Sequence, residues 1–237
     1  MCIDSVKWAR EFLIKNGCNV VVNCGDTMDN HISRSIEITA LTEAYKEDKL
    51  PDNYKEYIIL GNHEILAEED KFSSVSPVFL NDYCKLITKP EVIDIDGIKL
   101  SMLPYRRPDK VTHDLLKSIQ GDILFSHIDI KGSRLRQDYT ADFGVDPEMI
   151  SMYFKGCMNG HIHTQEHLHC DKNYAIWNVG SLTSYSFSDS NSYLPSCHIL
   201  DTDTMKLVSY NNPYAILFRK ISAKSLAELN TKLKEVY

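Results

Sequence analysis

Apolar and polar positions along the chain alternate between helical spacing and short continuous apolar runs. The first apolar positions recur every three or four residues, as expected for one face of a helix, at Ile3, Val6, Ala9, Phe12 and Leu13. Asn16-Gly17 ends this predicted helix, and the β-branched residues 19–24 then predict a buried strand. A second helix is predicted over residues 33–46, ahead of an apolar strand at 57–60. This order of elements predicts an α/β crossover unit.

Beyond residue 90 the pattern changes to strands joined by short turns. Apolar runs at 92–95 and 98–102 are separated by Asp96-Gly97, which is a strong hairpin signal. A helix is predicted at 111–119, and the remaining strands are predicted at 123–126, 156–159, 174–179, 196–200 and 206–210. We therefore predict an α/β fold in which two mixed β-sheets pack as a sandwich that is flanked by helices.

Length and composition agree with one catalytic domain. The chain has 237 residues, of which 43% are apolar, so it can bury a full core. We expect a single domain over residues 1–237, with a core at about 1–220 and a helix at about 223–236. Ser225-x-x-Glu228 is a capping box that opens this last helix, which either packs on its own domain or leads to a partner.

Polar side chains follow four of the predicted strands at the point where each strand ends. Asp26 and Asn62 each come after a glycine, His127 ends a strand directly, and Gly160-His161-Ile162-His163 follows another. Ligands bind at the carboxyl edge of α/β sheets, so we expect these residues to converge at one sheet edge. Taken singly, Asp26 could cap a helix, Asn62 could fill a turn and His127 could be a satisfied core histidine.

The residue types favour a metal centre. Oxygen donors mixed with imidazoles suit Mn, Zn or Fe better than the all-oxygen shell of Ca or Mg, and no cysteine pair has zinc-finger spacing. The seven cysteines are scattered, several of them in apolar strands, so we expect reduced thiols. The chemistry expected at such a site is hydrolysis by metal-activated water.

These motifs resemble the calcineurin-like metallophosphoesterases. The shared motifs, in the order typical of the family, are Gly25-Asp26-x-x-Asp29, Gly61-Asn62-His63-Glu64, His127 and Gly160-His161-Ile162-His163. The resemblance implies that Asp26 bridges two metals, that Asn62, His127 and His161 complete one site, and that His163 belongs to the other. It also implies that His63 is catalytic, because it orients the scissile phosphate and protonates the leaving oxygen. Asp29 would contact the ligand residues without binding a metal itself.

One motif of that family is missing from the printed sequence. These enzymes open with a strand ending in Asp-x-His, which supplies two ligands of the site shared by Asp26 and His163. Here the residues before Asp26 are used by the first helix and strand, and His31 and Asp4 are poor substitutes. We therefore expect the fold without its first strand, through a trimmed reading frame or natural loss. One divalent metal, with Mn favoured over Zn, Fe or Mg, is expected in place of the family's two.

Segments 124–133, 154–156 and 178–183 look like the SbcD-type subfamily, which comprises nuclease subunits of DNA recombination and repair complexes. The resemblance is strongest to compact bacteriophage versions, and it implies endonuclease or exonuclease activity with a coiled-coil, ABC-type ATPase as partner. The formal net charge of −7 argues for weak DNA binding by the chain alone, despite basic residues on both sides of His127. A homodimer is left open.

Other functions remain compatible with these patterns. The same fold serves small-molecule phosphodiesterases and protein phosphatases, and without Asp-x-His the chain could be a catalytically impaired binding module. No apolar run reaches the ~18 residues of a membrane span, and residues 1–20 lack a signal-peptide pattern. We therefore expect no membrane association and a cytoplasmic location, in the host cytoplasm if a phage encodes the protein.

Overall fold

The computed structural model describes residues 3–29, 32, 34–46, 50–65, 82–136, 139–171, 174–184, 194–218 and 221–234. The helices in these ranges are α1 (Ile3–Lys15), α2 (Ser35–Ala44), α3 (His113–Ser118), α4 (Pro147–Ser151) and α5 (Leu226–Lys234). The strands are β1 (Val20–Asn23), β2 (Lys55–Ile59), β3 (Cys84–Ile87), β4 (Glu91–Ile95), β5 (Ile98–Arg106), β6 (Ile123–Ile128), β7 (Arg134–Arg136), β8 (Tyr139–Thr140), β9 (Gly156–Asn159), β10 (Glu166–Asp171), β11 (Tyr174–Asn178), β12 (Ser196–Asp201) and β13 (Lys206–Asn211).

The described strands form two larger sheets and two hairpins. The first sheet has the order β1-β2-β3 and is parallel throughout. The second has the order β10-β11-β9-β6-β5-β4, in which the four inner strands are parallel and the two edge strands are antiparallel. β12 pairs with β13, and β7 pairs with β8. Parallel strands end on the same side, so each larger sheet has one edge where loops can gather.

The two larger sheets pack face to face because alternate side chains of each strand point to opposite sides. Tyr57 and Ile59 of β2 share one buried cluster with Met102 of β5 and Met158 of β9. Ile58, between them in sequence, packs instead in the cluster that contains α2. On its outer face the six-stranded sheet is covered by apolar residues of α3 and α4. The predicted mixed α/β sandwich with flanking helices is confirmed.

The sequence did not predict how the strands divide between the sheets. We expected the strands that carry the candidate ligands to share one sheet edge, but β1 and β2 lie in the first sheet and β6 and β9 in the second. The expected neighbours β1 and β2 do pair directly, as do β6 and β9. The apolar pattern of a strand shows that both its faces are buried, and it does not show against which strands it pairs.

Several boundaries differ from expectation. α2 begins at Ser35, and His31, which we considered as a substitute ligand, lies outside the described residues; Asp4 lies in the first turn of α1. β5 extends to Arg106, four residues beyond its predicted end. The five cysteines whose side chains the structure describes are free thiols, as expected. Among the described residues, no helix combines the length and the apolar content needed to cross a bilayer.

Candidate metal centre

Three of the candidate ligands stand on loops that follow strands of the two facing sheets, and His127 lies near the end of β6 itself. Asp26 follows β1 and His161 follows β9, and both have left-handed backbone conformations, with φ of 53° and 56°. Non-glycine residues rarely adopt this region, and such strain is typically found at functional sites. The two residues are therefore held in positions that local preference would not select.

Two glycines allow these loops to approach each other closely. A β-carbon added at Gly61 would lie 2.0 Å from Oδ1 of Asp26, and one at Gly160 would lie 2.2 Å from the carbonyl oxygen of Cys24. Both distances are far below van der Waals contact, and backbone or a fixed carboxylate cannot give way cheaply. The glycine of the Gly-Asn-His-Glu motif thus lets the two ligand loops of the first sheet meet, and the glycine of the Gly-His-x-His motif lets the second sheet approach the first.

Four candidate side chains meet where the loops gather. Nε2 of His127 lies 3.1 Å from Oδ2 of Asp26 and 3.1 Å from Oδ1 of Asn62. Nδ1 of His161 lies 3.0 Å from the same Asn62 oxygen and 3.2 Å from Nε2 of His127. His127 is 1% exposed, whereas Asp26 and His161 are each slightly open to solvent at 18% and 19%. The cluster is therefore buried on one side and accessible on the other.

The outer contacts of the two imidazoles determine where their protons lie. Nδ1 of His127 is 2.6 Å from the carbonyl oxygen of Cys24, which can only accept, so this nitrogen carries the proton. The backbone N–H of His161 also approaches that nitrogen, at 3.2 Å, but the shorter carbonyl contact decides its protonation. Nε2 of His161 is 3.0 Å from Oδ1 of Asp129 and donates to that carboxylate. With these nitrogens protonated, the other nitrogen of each ring faces the centre of the cluster, where the neutral form of the ring presents a lone pair.

The centre of the cluster consequently consists of acceptors. A carboxylate oxygen of Asp26, the amide oxygen of Asn62 and nitrogens of two imidazoles gather there: Nε2 of His127 lies 3.1–3.2 Å from an atom of each of the other three, and Nδ1 of His161 lies 3.0 Å from the Asn62 oxygen. Asn62 directs its oxygen and not its NH₂ group towards the rings, although the NH₂ group would satisfy both lone pairs. Ligand bonds of ~2.0–2.2 Å put neighbouring ligand atoms about 3 Å apart. These residues fit a divalent cation, and mixed oxygen and imidazole donors suit Mn, Fe or Zn.

Buried hydrogen bonds hold the two ligand loops of the first sheet together. The backbone N–H groups of Met28 and Gly61 donate to the two carboxylate oxygens of Glu64, at 3.0 and 2.8 Å, and Glu64 is fully buried. Oδ1 of Asp26 accepts the backbone N–H of His63 at 3.1 Å. Burial disfavours the Asp26 carboxylate, yet its pKa is lowered, and the backbone N–H of His63 is among the groups that favour the charged form. Asp26 is therefore charged at neutral pH.

His63 lies beside the cluster without joining it. Its Nδ1 donates to the backbone carbonyl of Asp29 at 2.5 Å, and the side chain is half-buried. Asp29 thus supports this ring through its backbone. His163 is exposed, its carbonyl accepts the N–H of Ser181, and it does not belong to the described group of ligand atoms that lie within 4.8 Å of one another. Its role in a second metal site stays a prediction.

Two residues that lie beside the candidate ligands were not predicted as site residues from the sequence. Asp129 contacts His161 as described, and the ring of Tyr105 lies 5.7 Å from that of His161 and 6.4 Å from that of His127. The signal for Asp129 was a single carboxylate in the apolar segment Ile128-Asp129-Ile130, two residues beyond a candidate ligand. Tyr105 has no comparable signal, because it stands in an ordinary strand.

Comparison with known proteins identifies the family. The sequence model of the calcineurin-like phosphoesterases matches residues 2–165, which is more than half of the chain. The chain belongs to the calcineurin-like phosphoesterase family. Members of this family use divalent metals, and the donor set described above is consistent with such a cofactor. The phosphoesterase fold and the hydrolase class expected from the sequence are thereby confirmed.

Individual relatives are more distant. Exonuclease subunit 1 of Enterobacteria phage T4 is 24% identical over 168 residues, which cover 68% of this chain and 48% of that protein. The chain thus spans about half the length of this relative. An archaeal phosphodiesterase structure is 14% identical, covers 87% of this chain and 90% of its own, and has a TM-score of 0.44. GAP50, the anchor in the inner membrane complex of Plasmodium, is 10% identical. The match covers 99% of this chain and 89% of GAP50, with a TM-score of 0.47.

Proposed function

We propose that this phosphoesterase hydrolyses phosphodiester bonds of DNA as the nuclease subunit of a recombination or repair complex, together with an ABC-type ATPase that has a coiled coil. The observation that supports the chemistry most strongly is the convergence of four acceptors, each imidazole oriented by an outer partner. The weak similarity to a phage exonuclease subunit supports the nuclease assignment.

Asp26, Asn62, His127 and His161 would hold the cation. A divalent cation at this place supplies charge stabilisation to the phosphoryl group and activates water. His63 contributes from the side: its Nδ1 contacts the Asp29 carbonyl, and its ring would meet the scissile phosphate and the leaving oxygen. In its doubly protonated form the ring would orient the phosphate and give one of its two protons to the departing oxygen.

The distribution of basic residues supports a nucleic acid as substrate. β5 and β6 are parallel neighbours, and Arg106 pairs with Ile128, so the segments that follow both strands lie at the edge that carries His127. Arg107 and Lys110 follow β5 and Lys131 follows β6, and all three are more than half exposed. Their acidic neighbours Asp109 and Asp146 reduce the local positive charge, which agrees with weak DNA binding by this chain alone.

The proposal is tested with His63→Gln. We expect this change to lower hydrolysis of bis(p-nitrophenyl) phosphate and of linear duplex DNA by ~10²- to 10⁴-fold, because a positioned acid typically contributes that much. Bound Mn²⁺, counted by mass spectrometry after gel filtration, should stay unchanged. His113→Gln is the matched control, since His113 lies on α3 and contacts Tyr153. Loss of metal together with activity would make His63 a ligand instead.

A second experiment tests the substrate class. EDTA should abolish hydrolysis and Mn²⁺ should restore it, and duplex DNA ends should compete with a nucleotide phosphodiester for the restored site. Failure of DNA to compete, with the nucleotide diester still hydrolysed, would favour a small-molecule phosphodiesterase. A chain that binds Mn²⁺ but hydrolyses neither substrate, with or without an ABC-type ATPase, would favour the binding module.

A further inference from the structure

Asp129 differs from the other residues at the site because it touches a candidate ligand from the outside. Its Oδ1 lies 3.0 Å from Nε2 of His161, whereas Nδ1 of His161 points to Asn62 and His127. Both side chains of the pair are largely buried, at 18% and 19% exposed. The imidazole is therefore held between a carboxylate on one nitrogen and the acceptor cluster on the other.

Asp129 is fixed in place without help from His161. Its carbonyl accepts the backbone N–H of Val145 at 2.9 Å, and Ile130 forms a bridge with the same residue. On the other side, the buried amide of Asn159 accepts the N–H of Ile128 and donates to its carbonyl, both at 3.0 Å. The backbone that carries the carboxylate is therefore held in place from both sides.

The two imidazoles have different outer partners. His127 donates to the carbonyl of Cys24, which is neutral, whereas His161 donates to an acidic side chain. A carboxylate partner fixes the tautomer of a metal-binding histidine and makes its free nitrogen a stronger donor. We propose that Asp129 is a positioning residue, which keeps the proton of His161 on Nε2 and thereby presents Nδ1 to the divalent cation. This inference rests on the metal centre of the proposed function.

Removal of the carboxylate creates a competing hydrogen bond. Without Asp129, the proton of His161 gains by moving to Nδ1, because from there it can donate to the Asn62 oxygen at 3.0 Å. The cation would then have to displace that proton before it binds. Partners of this kind typically account for ~10- to 100-fold in metal affinity. An asparagine at the position keeps an oxygen acceptor but loses the charge, so its effect should be smaller.

The test compares Asp129→Ala, Asp129→Asn and the control Asp142→Ala, which removes an exposed carboxylate from the same loop. Mn²⁺ affinity of each full-length chain is measured by isothermal titration calorimetry. We expect ~10- to 100-fold weaker binding for Asp129→Ala, less than 10-fold for Asp129→Asn and no change for the control. In ¹⁵N spectra of the metal-free chains, His161 should carry its proton on Nε2 in the parent and on Nδ1 in Asp129→Ala. His161→Gln assigns the signal.

The outcomes separate this inference from the function on which it rests. A parent chain that binds no Mn²⁺ overturns the metal centre itself. A parent that binds, with Asp129→Ala binding equally and its His161 tautomer unchanged, overturns only the role of Asp129. Equal losses in both Asp129 variants without a tautomer change would make the carboxylate a direct ligand and also overturn the positioning role. Asparagine has nearly the same shape as aspartate. If Asp129→Ala fails to fold, the Mn²⁺ affinity and the His161 tautomer of Asp129→Asn therefore still test the inference.

Discussion

Two buried polar clusters lie near opposite ends of β2, and they differ in how their donors and acceptors balance. Beside α1, the guanidinium of Arg10 donates to Glu56 and to the carbonyl of Ala44, both at 3.0 Å, and Tyr54 donates to the same carboxylate at 2.8 Å. At the metal centre, by contrast, Asp26, Asn62 and two imidazoles turn acceptors towards one another. In the first cluster donors face acceptors, whereas a cluster of acceptors that face one another favours a cation.

The electrostatics of the first cluster agree with a closed structure. Burial disfavours the charged Arg10 guanidinium, but Glu56 and the phenolic oxygens of Tyr54 and Tyr83 outweigh it and raise its pKa. The guanidinium also lies over the ring of Tyr45, 4.7 Å from its centroid. This cluster ties α1 and α2 to β2, and no ligand is needed to explain it. The comparison thus distinguishes a cluster in which donors face acceptors from the candidate metal centre, in which acceptors face one another.

The largest expected effect is the loss of Arg10. Arg10→Ala leaves the Glu56 carboxylate buried without its cation, which typically costs about 3–5 kcal/mol of the free energy of unfolding. Urea denaturation should show this loss equally with and without Mn²⁺. Glu11→Ala, at an exposed position of the same helix, is the control. A loss that vanished on addition of Mn²⁺ would break the comparison, since it would couple the first cluster to the cation.

Asp26→Asn should have the opposite effect on stability: it should spare the metal-free chain and remove the stabilisation by Mn²⁺. The amide oxygen can keep the contact with the His63 N–H while the NH₂ group donates to the His127 lone pair, so the metal-free chain should be no less stable. The parent should gain about 2.7 kcal/mol at a Mn²⁺ concentration 100 times Kd, and the variant should gain almost nothing. Thermal unfolding with and without Mn²⁺ measures both, with Asp114→Asn on the surface of α3 as control. Marked destabilisation of the metal-free variant would contradict a mutual repulsion of acceptors.

Glu64→Gln sharpens the comparison, because Glu64 makes buried hydrogen bonds as the first cluster does and also lies beside the candidate metal centre. Its carboxylate accepts two backbone N–H groups and thereby joins the loops that carry Asp26 and Asn62. Glutamine has one oxygen, so one N–H faces an NH₂ group, at a cost of about 1–3 kcal/mol. Mn²⁺ affinity, measured in the same samples by calorimetry, should weaken as well. If stability fell while affinity held, Glu64 would be a structural residue only.

The sequence predicted the local features of this molecule better than its long-range pairings. The β-branched residues before Gly25 predicted β1, and Asp96-Gly97 predicted the β4–β5 hairpin, because both signals lie within a few residues. The short elements β3, β10 and α4 carry too little periodicity to be recognised. The division of strands between two sheets depends on contacts between distant segments, which a single strand's pattern does not contain.

The candidate site shows the same division. Asp26, Asn62 and His161 each follow a recognisable strand and a glycine, His127 ends a recognisable strand, and the structure brings the four together. Asp129 was missed because its importance comes from His161, which is 32 residues away in sequence. His163 is on the predicted loop but is exposed, so the sequence motif alone does not define its environment. Sequence patterns therefore located the strand ends, and packing determined which side chains meet.

Because each sheet contributes two of the four candidate ligands, a bound cation would act as a removable cross-link between the halves of the sandwich. Asp26 and His161 are separated by more than half of the chain, so the link would close a very long loop. Removal of the cation by a chelator would then loosen the contact between the two sheets at the edge that carries the ligands, and the contact at the opposite edge would be unchanged. Amide hydrogen exchange should accordingly quicken at the ends of β1, β2, β6 and β9 when the metal is removed, and not at their beginnings.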